Sequence, residues 1–256
     1  YRDPAATPRE WLLRCMAVGL DAIVVTDHQS GQWAVDVQAE LHRLTEEQPA
    51  GYRPLVVFPG VEIMSQNIHW LAIFDPVELQ RPSQLLGAAR IVGDEGAHDG
   101  HVRGSPDDII DYVRQTQRGI VIPAHVDRLR GLFTEPVAGQ FMDDFIGNDH
   151  LYAMEVVDWG FSDARADSTG WAKVMGSDAH CLSDIGQRST WVKMSRPDID
   201  GLRLALSDGE QSVRSFDMSP AMNEIPPMVI QSVEINDAQY CGRVNPLTVS
   251  FSPWFT

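Results

Sequence analysis

The stretch Gly176-Ser177-Asp178-Ala179-His180 decides how this sequence is interpreted. It follows the short apolar run 172–175 and places a carboxylate and an imidazole two residues apart. Alternate residues of a strand lie on one face, and side chains at the carboxyl ends of barrel strands point into the mouth where chemistry takes place. The stretch therefore predicts a strand over 172–177 that presents Asp178 and His180 to a divalent ion.

Further segments place metal-binding groups at the ends of apolar strands. The groups concerned are Asp27 and His28 after 23–26, Glu62 after 55–61, His69 beside Ile68 and His125 after 121–124. Taken singly, each has a structural alternative: His28 could pair with Asp27, and His69 could be a core residue. Taken together, imidazoles and carboxylates that converge on one barrel mouth suit Zn²⁺, Mn²⁺ or Fe²⁺.

Composition excludes several classes of protein. The 256 residues are 43% hydrophobic and carry a net charge of −16, which disfavours nonspecific binding to nucleic acid by this chain alone. A phosphate substrate stays possible, because bound cations compensate carboxylates. Three dispersed cysteines, no signal peptide and no apolar run of membrane length favour a cytoplasmic protein without a membrane partner. Since no Walker loop, dinucleotide-binding glycine motif or paired nucleophile occurs, metal-assisted hydrolysis is the predicted chemistry.

Strand and helix patterns alternate along most of the chain. Capping boxes predict helix starts at Thr7-Pro8 and Ser105-Pro106, and Trp33, Val37 and Leu41 predict a helix over 31–47. Strands are predicted at 21–25, 54–63, 68–74, 120–124, 152–157, 172–177 and 189–194, with shorter helices near 138–146 and 198–206. The alternation predicts a parallel sheet with right-handed crossovers, and reactive groups at several strand ends favour a barrel.

Composition changes after residue 217. Prolines mark 218–228 as a linker, and 229–235 and 247–251 read as two strands, too few for a core of their own. We therefore expect a first domain over 1–217, a linker over 218–228 and the start of a second, β-containing domain over 229–256.

Other residues carry weaker signals. Glu155 could support a metal ligand from behind or pair with a buried arginine. Arg188 and Arg128 could bind phosphate or could be ordinary surface cations. His98 and His101, in the polar glycine-rich loop 92–104, could reach a substrate or simply be solvated.

The motifs in this order resemble the polymerase and histidinol phosphatase (PHP) domain over about residues 4–215. The matching stretches are Thr26-Asp27-His28, Gly60-Val61-Glu62, His69-Trp70-Leu71-Ala72-Ile73-Phe74, Ala124-His125 and Gly176-Ser177-Asp178-Ala179-His180. The resemblance implies a distorted (β/α)7 barrel, phosphoesterase activity and two to three divalent ions. It makes Glu62 a bridging ligand, with Asp178 and His180 beside it in catalysis.

The resemblance also assigns the remaining metal ligands to individual ions. His69 and His125 would complete one site with Glu62, Asp178 would bind the other bridged ion, and His28 and His180 would bind a third. Asp27 and Glu155 would support these ligands. The first strand of the family bears a His-x-His motif. This sequence starts at Tyr1 and contains no such motif. A clipped chain, an omitted strand and a degenerate member all explain this, and the intact later motifs favour the first two.

The last residues resemble the junction in TrlF-family AAA-like ATPases, in which a PHP domain precedes an ATPase. The matching stretches are Asn236–Arg243, Asn245–Leu247 and Phe251–Phe255. This implies a nuclease acting on DNA or RNA, coupled to an ATP-binding domain of the same polypeptide, in DNA repair or antiphage defence, and we expect a homo-oligomer. The alternatives are a small-molecule phosphatase of the histidinol-phosphate type and a degenerate PHP scaffold without catalysis.

Overall fold

The computed structural model describes residues 6–92, 100–136 and 142–218, and two strands at 232–235 and 247–250. The chain divides into two compact units, Tyr1–Met218 and Ser219–Thr256, and each is described by itself.

Seven helices occur in the described part of the first unit. They are α1 (Pro8–Ala17), α2 (Gln32–Glu47), α3 (Arg81–Ala89), α4 (Pro106–Thr116), α5 (Met142–Ile146), α6 (Ala164–Ser168) and α7 (Ile199–Ser207). The two predicted capping boxes are present: Thr7 and Glu10 exchange hydrogen bonds at the start of α1, and Ser105 and Asp108 do so at α4. No helix within the described ranges combines the length and apolar character that crossing a bilayer requires.

Ten strands lie in the described residues of the same unit. They are β1 (Ala22–Val25), β2 (Val56–Ser65), β3 (Ile68–Phe74), β4 (Ile91–Val92), β5 (His101–Val102), β6 (Gly119–Pro123), β7 (Ala153–Glu155), β8 (Ala172–Val174), β9 (Thr190–Val192) and β10 (Val213–Ser215). Four of them form a sheet in the order β1-β2-β3-β6. The strands β7 and β8 form a parallel pair, while β9–β10 and β4–β5 are antiparallel pairs. A bridge between Val121 and Leu151 links β6 to the segment before β7.

The predicted parallel pairing is present only in part, because the four-stranded sheet is mixed. The first half of β2 pairs with β1 in parallel, but the second half pairs with β3 in an antiparallel hairpin, and β3 is antiparallel to β6. Only Gln66 and Asn67 separate β2 from β3, both at positive φ (50° and 63°). A two-residue turn of this kind can join only antiparallel neighbours, whereas a parallel crossover needs a dozen or more residues.

The core lies on both faces of the sheet, as a barrel requires. Inner residues of β2, β3, β6, β7, β8 and β10 form one apolar cluster that α7 also enters, with Leu71, Ile122, Ala153 and Leu206 among its members. Side chains on the opposite face, such as Trp70, pack against α3, α4, α5 and α6. A third cluster packs α1 and α2 on β1 and β2. The alternation along β3 between the two clusters places every second side chain inside the barrel.

The predicted end of one strand is wrong, and the difference affects the candidate site. The predicted strand over 172–177 ends at Val174, so Gly176–His180 is a loop. Asp178 has φ +47°, a left-handed conformation that a strand does not contain. The argument that Asp178 and His180 share a strand face is therefore wrong. Of the predicted helix near 138–146 the structure describes Met142–Ile146, and residues 93–99 of the polar loop lie outside the described residues.

The second unit is described only as a pair of strands. The strands β11 (Ser232–Ile235) and β12 (Leu247–Ser250) are antiparallel, with Val233 opposite Val249.

Candidate metal centre

Glu62 and His69 meet because of the register of the β2–β3 hairpin. Glu62 lies directly opposite Leu71, and His69 lies two residues before Leu71 on the same face. Diagonal neighbours across an antiparallel pair are within reach of long side chains. His69 Nδ1 accordingly lies 2.5 Å from Glu62 Oε1, and both residues are buried.

His28 reaches Glu62 through a continuation of the β1–β2 pairing. The register of the parallel pair carries past β1 to a bridge between His28 and Glu62. The Glu62 amide donates to the carbonyl of Asp27, and the Gln29 amide donates to the carbonyl of Glu62. His28 Nδ1 lies 3.6 Å from Glu62 Oε2, so the second carboxylate oxygen also faces an imidazole.

A backbone reversal turns His125 toward the same point. His125 has φ +28°, so it leaves the alternation of β6, in which Ile122 and Ala124 already face the barrel interior. Its amide donates to the carboxylate of Glu155 at 3.1 Å, and the next amide, of Val126, donates to the Glu155 carbonyl. Glu155 therefore holds both peptide groups at the reversal. A buried pairing of Glu155 with an arginine, the alternative from the sequence, is not seen among the described residues.

The four side chains converge on one small volume. His125 Nε2 lies 3.4 Å from Glu62 Oε1 and 3.1 Å from His69 Nδ1. Two ligands of one zinc ion, each about 2.1 Å from it, are separated by about 3.4 Å in a tetrahedral site. The His125 distances match that spacing, while Glu62 and His69 are closer, as a hydrogen-bonded pair is. His28, Glu62 and His69 likewise offer ligand atoms that lie within 4.8 Å of one another.

The donor set fits a divalent cation. Each of the nitrogens that face Glu62 offers a lone pair in the neutral tautomer that carries its proton on the other ring nitrogen. On the far sides of the rings, His69 Nε2 and His125 Nδ1 are buried and have no hydrogen-bond partner within the described ranges. Neutral imidazole and carboxylate are the ligands that zinc, manganese and iron take in proteins.

Electrostatics keep Glu62 ionised. Burial by itself would raise the pKa of Glu62, but hydrogen bonds with His125 and His69 and the charge of His28 lower it overall. Burial lowers the pKa of His125, while its hydrogen bond with Glu62 outweighs this and raises it. Burial raises the pKa of Glu155 to about 7, although the His125 amide opposes the rise.

Asp178 and His180 line a cavity together with His28 and Glu62, but their side chains are more exposed than that of Glu62. The ring of His180 is 6.1 Å from that of His28, between centroids. Its Nδ1 is 2.8 Å from the carbonyl oxygen of Asp178 and 3.7 Å from the carboxylate of the same residue. The Asp178 side chain is 55% exposed.

Asp184 holds this loop in place, and the sequence did not indicate it as a site residue. Its Oδ2 accepts hydrogen bonds from the amides of His180 and Cys181, both at 3.1 Å. A carboxylate that accepts from the amides three and four residues before it has no strong sequence signature, because aspartate is common in any loop.

The predicted substrate-binding residues are less clearly placed. Arg188 lines the cavity, but its guanidinium donates to the carbonyls of Gly176 and Ser177. Arg128 is about half exposed and pairs with Asp127. His101 is exposed on β5 and does not line the cavity, and His98 lies outside the described residues.

The cavity has a volume of about 730 Å³ and extends from His28 and Glu62 past Asp27 into the barrel. Its walls include Val24 of β1, which is 39% exposed. Among the described strands, β1 pairs only with β2. His28 and Glu62 therefore lie beside a partly apolar cavity.

Comparisons with known proteins give structural likeness only. No protein-family model matches the chain, and a search of curated proteins gave no significant match. The lesion-specific endonuclease EndoQ of Pyrococcus furiosus superposes with a TM-score of 0.58 at 14% identity, over 83% of this chain and 54% of that protein. The chain thus spans about half the length of that endonuclease.

Two further solved structures match more loosely. A putative metal-dependent phosphoesterase from Bifidobacterium adolescentis matches at TM-score 0.44 and 16% identity, over 81% of this chain and 92% of that one. A two-domain protein from Bacteroides vulgatus contains a predicted PHP-like metal-dependent phosphoesterase. It matches with a TM-score of 0.45 at 12% identity, over 80% of this chain and 60% of that one. The predicted fold class, an α/β distorted barrel, is confirmed.

Proposed function

We propose that this chain is a metal-dependent phosphoesterase and that its substrate is DNA or RNA. The observation that carries the proposal is the convergence of Glu62 with His28, His69 and His125 at a barrel mouth. The shared fold with a lesion-specific endonuclease supports a nucleic-acid substrate.

The proposed role of each residue depends on where it lies in the site. Glu62, His69, His125 and His28 would hold the ions, with Asp178 and His180 completing the set from the rim. Divalent ions at such a site polarise phosphoryl oxygens and lower the pKa of water. Glu62 is ready to bind them at neutral pH because its lowered pKa keeps it a carboxylate.

Glu155 would position one ligand, His125, through the backbone of that residue. Its carboxylate accepts from the amide of His125, where the backbone is left-handed, a conformation that costs free energy for a residue with a side chain. Asp184 and Arg188 do the same for the loop of Asp178 and His180. The ligands are thus held by the fold before any ion arrives, which is what precise metal sites need.

The test is the isosteric variant Glu62→Gln in the full chain, compared with Glu46→Gln, an exposed glutamate on α2. Both are loaded with Mn²⁺ or Zn²⁺ and assayed on labelled DNA and RNA, a phosphodiester dye and a phosphomonoester dye. We expect Glu62→Gln to lose at least about 100-fold in rate, more than typical losses on mutating residues that support a ligand. Glu46→Gln should match wild type. Wild-type rates in Glu62→Gln would refute the proposal.

A small-molecule phosphatase is the second candidate, and the cavity of about 730 Å³ beside His28 and Glu62 favours it because its volume suits a small ligand. The same assay separates the two: hydrolysis of the monoester alone would assign this function. A non-catalytic scaffold would instead bind no stoichiometric metal, which elemental analysis of the purified chain detects.

For the C-terminal part we propose the start of an ATPase domain after a linker over 218–228. The antiparallel pair of β11 and β12 supports a β-containing start to this domain. A longer polypeptide that includes the downstream sequence should hydrolyse ATP, and nuclease activity that changes with ATP would show coupling.

A further inference from the structure

Asp127 lies two positions after the candidate metal ligand His125, and its side chain is only 2% exposed. Both of its carboxylate oxygens accept hydrogen bonds from the segment that follows β7. Oδ1 accepts from the amide of Val157 and Oδ2 from the amide of Asp158, each at 2.9 Å. A buried carboxylate that has lost its hydration needs such donors, so these contacts fix Asp127 where it lies.

The contacts of Asp127 and Glu155 are reciprocal. The carboxylate of Glu155 accepts from the amide of His125 at 3.1 Å, and the Glu155 carbonyl accepts from the amide of Val126 at 2.8 Å. The carboxylate of Asp127 accepts from the amides two and three positions after Glu155. The segments 125–127 and 155–158 therefore each give a carboxylate to the other, and four hydrogen bonds join the carboxyl ends of β6 and β7.

His125 depends on this connection because its backbone conformation is unfavourable. Its φ of +28° lies in the left-handed region, which costs free energy for a residue with a side chain. In the regular alternation of β6, Ile122 and Ala124 face the barrel interior, and residue 125 would face away from it. The imidazole reaches Glu62 only as long as the left-handed conformation is maintained.

The loop 125–131 is compact and is attached to the barrel at both sides. Within it, the amide of Arg128 donates to the His125 carbonyl and the amide of Gly131 donates to the Arg128 carbonyl, both at 2.9 Å. At its far end, the Arg130 carbonyl accepts from the amide of His69 at 3.0 Å. Bonds within the loop fix its shape, whereas the bonds to β3 and to the segment after β7 fix its direction.

We propose that Asp127 is a positioning residue for the metal centre and that it keeps the imidazole of His125 turned toward Glu62 by joining the ends of β6 and β7. This inference rests on the proposed metal-dependent function. Asp127 does not bind the ions itself, because both of its oxygens are directed at backbone amides. Its effect on metal binding passes through the backbone of His125.

Asp75 offers a matched control. It is also buried, and its two carboxylate oxygens also accept from backbone amides, those of Val77 and Ile199, each at 3.2 Å. It directly follows β3 at the end opposite to His69. Asparagine presents an NH₂ group where one carboxylate oxygen stood, so Asp127→Asn and Asp75→Asn each take the acceptor from one buried amide.

The experiment compares wild type, Asp127→Asn and Asp75→Asn in the full chain after removal of metal with EDTA. Calorimetry measures Zn²⁺ affinity, visible absorption of bound Co²⁺ reports the geometry of its ligands, and urea denaturation of the metal-free proteins measures stability. We expect both variants to lose stability, but only Asp127→Asn to bind Zn²⁺ about 10–100-fold more weakly, the usual effect of mutating a residue that supports a ligand. The Co²⁺ spectrum should change in that variant alone.

Separate outcomes test the inference and the proposed function. Wild-type Zn²⁺ affinity and an unchanged Co²⁺ spectrum in Asp127→Asn would overturn the inference, as would equal weakening in Asp75→Asn. Failure of wild type itself to bind Zn²⁺ or Co²⁺ would refute the metal centre and the inference together. Should Asp127→Asn not fold, Asp127→Ser, which keeps a hydroxyl acceptor, is compared with Asp75→Ser by the same criteria.

Discussion

Replacing Glu155 by glutamine should stabilise the metal-free protein above pH 7 and leave its stability unchanged near pH 4. Glutamine has the same shape and keeps an oxygen for the amide of His125, which donates to Glu155 in the wild type. It removes only the charge that the site acquires when the carboxyl group loses its proton. The comparison therefore isolates the free energy of a buried carboxylate.

The magnitude follows from the raised pKa of Glu155, about 7 in the folded protein against 4.5 for an ordinary glutamate. Between these values the folded state binds the proton more tightly than the unfolded state. The contribution of Glu155 to stability is therefore fully present below pH 4.5 and lost as pH rises through 7. At 1.36 kcal/mol per pKa unit, the loss is about 3 kcal/mol.

The assay is urea denaturation of wild type and Glu155→Gln in EDTA at intervals between pH 4 and pH 8.5, with Glu46→Gln as a control. The difference in unfolding free energy between Glu155→Gln and wild type should grow from near zero to about 3 kcal/mol across this range. Glu46→Gln, an exposed glutamate, should follow wild type throughout. A constant difference at all pH values, or a Glu155→Gln variant that is less stable at pH 8, would refute the buried-carboxylate argument.

Three further predictions follow from the site. In Gly176→Ala the new methyl carbon would lie 2.7 Å from Glu155 Oε1, so the free energy of unfolding measured in urea should fall by about 1–3 kcal/mol. The control Gly87→Ala, where nothing lies within 4 Å of the new carbon, should be neutral or stabilising. Equal effects of the two substitutions would contradict the argument from crowding. Arg188→Gln removes hydrogen bonds to the carbonyls of Gly176 and Ser177 and should lower the free energy of unfolding by about 2 kcal/mol. Calorimetry should also show weaker metal binding. Unchanged metal affinity would show that Arg188 does not support the loop of Asp178 and His180. Adding Zn²⁺ or Mn²⁺ at about 1,000 times its dissociation constant should raise stability by about 4 kcal/mol in wild type, measured by thermal melting, and an equal rise in Glu62→Gln would place the ion elsewhere.

Local features of the fold were predictable because they depend on neighbours in sequence. Thr7 and Glu10 form their capping box from four consecutive residues, and the apolar run around Val121 forms a strand. The sequence predicted strands over 54–63 and 68–74, but the antiparallel direction was not predicted. It follows from the two-residue turn at Gln66 and Asn67, and neither residue is a glycine that would have marked the turn.

The candidate site was likewise predictable only in part. Strand ends in the sequence predicted His28, Glu62, His69 and His125 as metal ligands, and the structure brings these four side chains close together. The supporting contacts of Asp184 and Arg188 were not identified, because hydrogen bonds from side chains to loop amides and carbonyls leave no periodic pattern in the sequence.

The amino-acid sequence by itself determined which imidazoles and carboxylates end the strands, because apolar runs and the residues that terminate them are local. Only the tertiary structure decided that His125 reverses its backbone to face Glu62. This depends on contacts between residues 30 positions or more apart, such as Glu155 with His125, and these distances close only when the barrel folds.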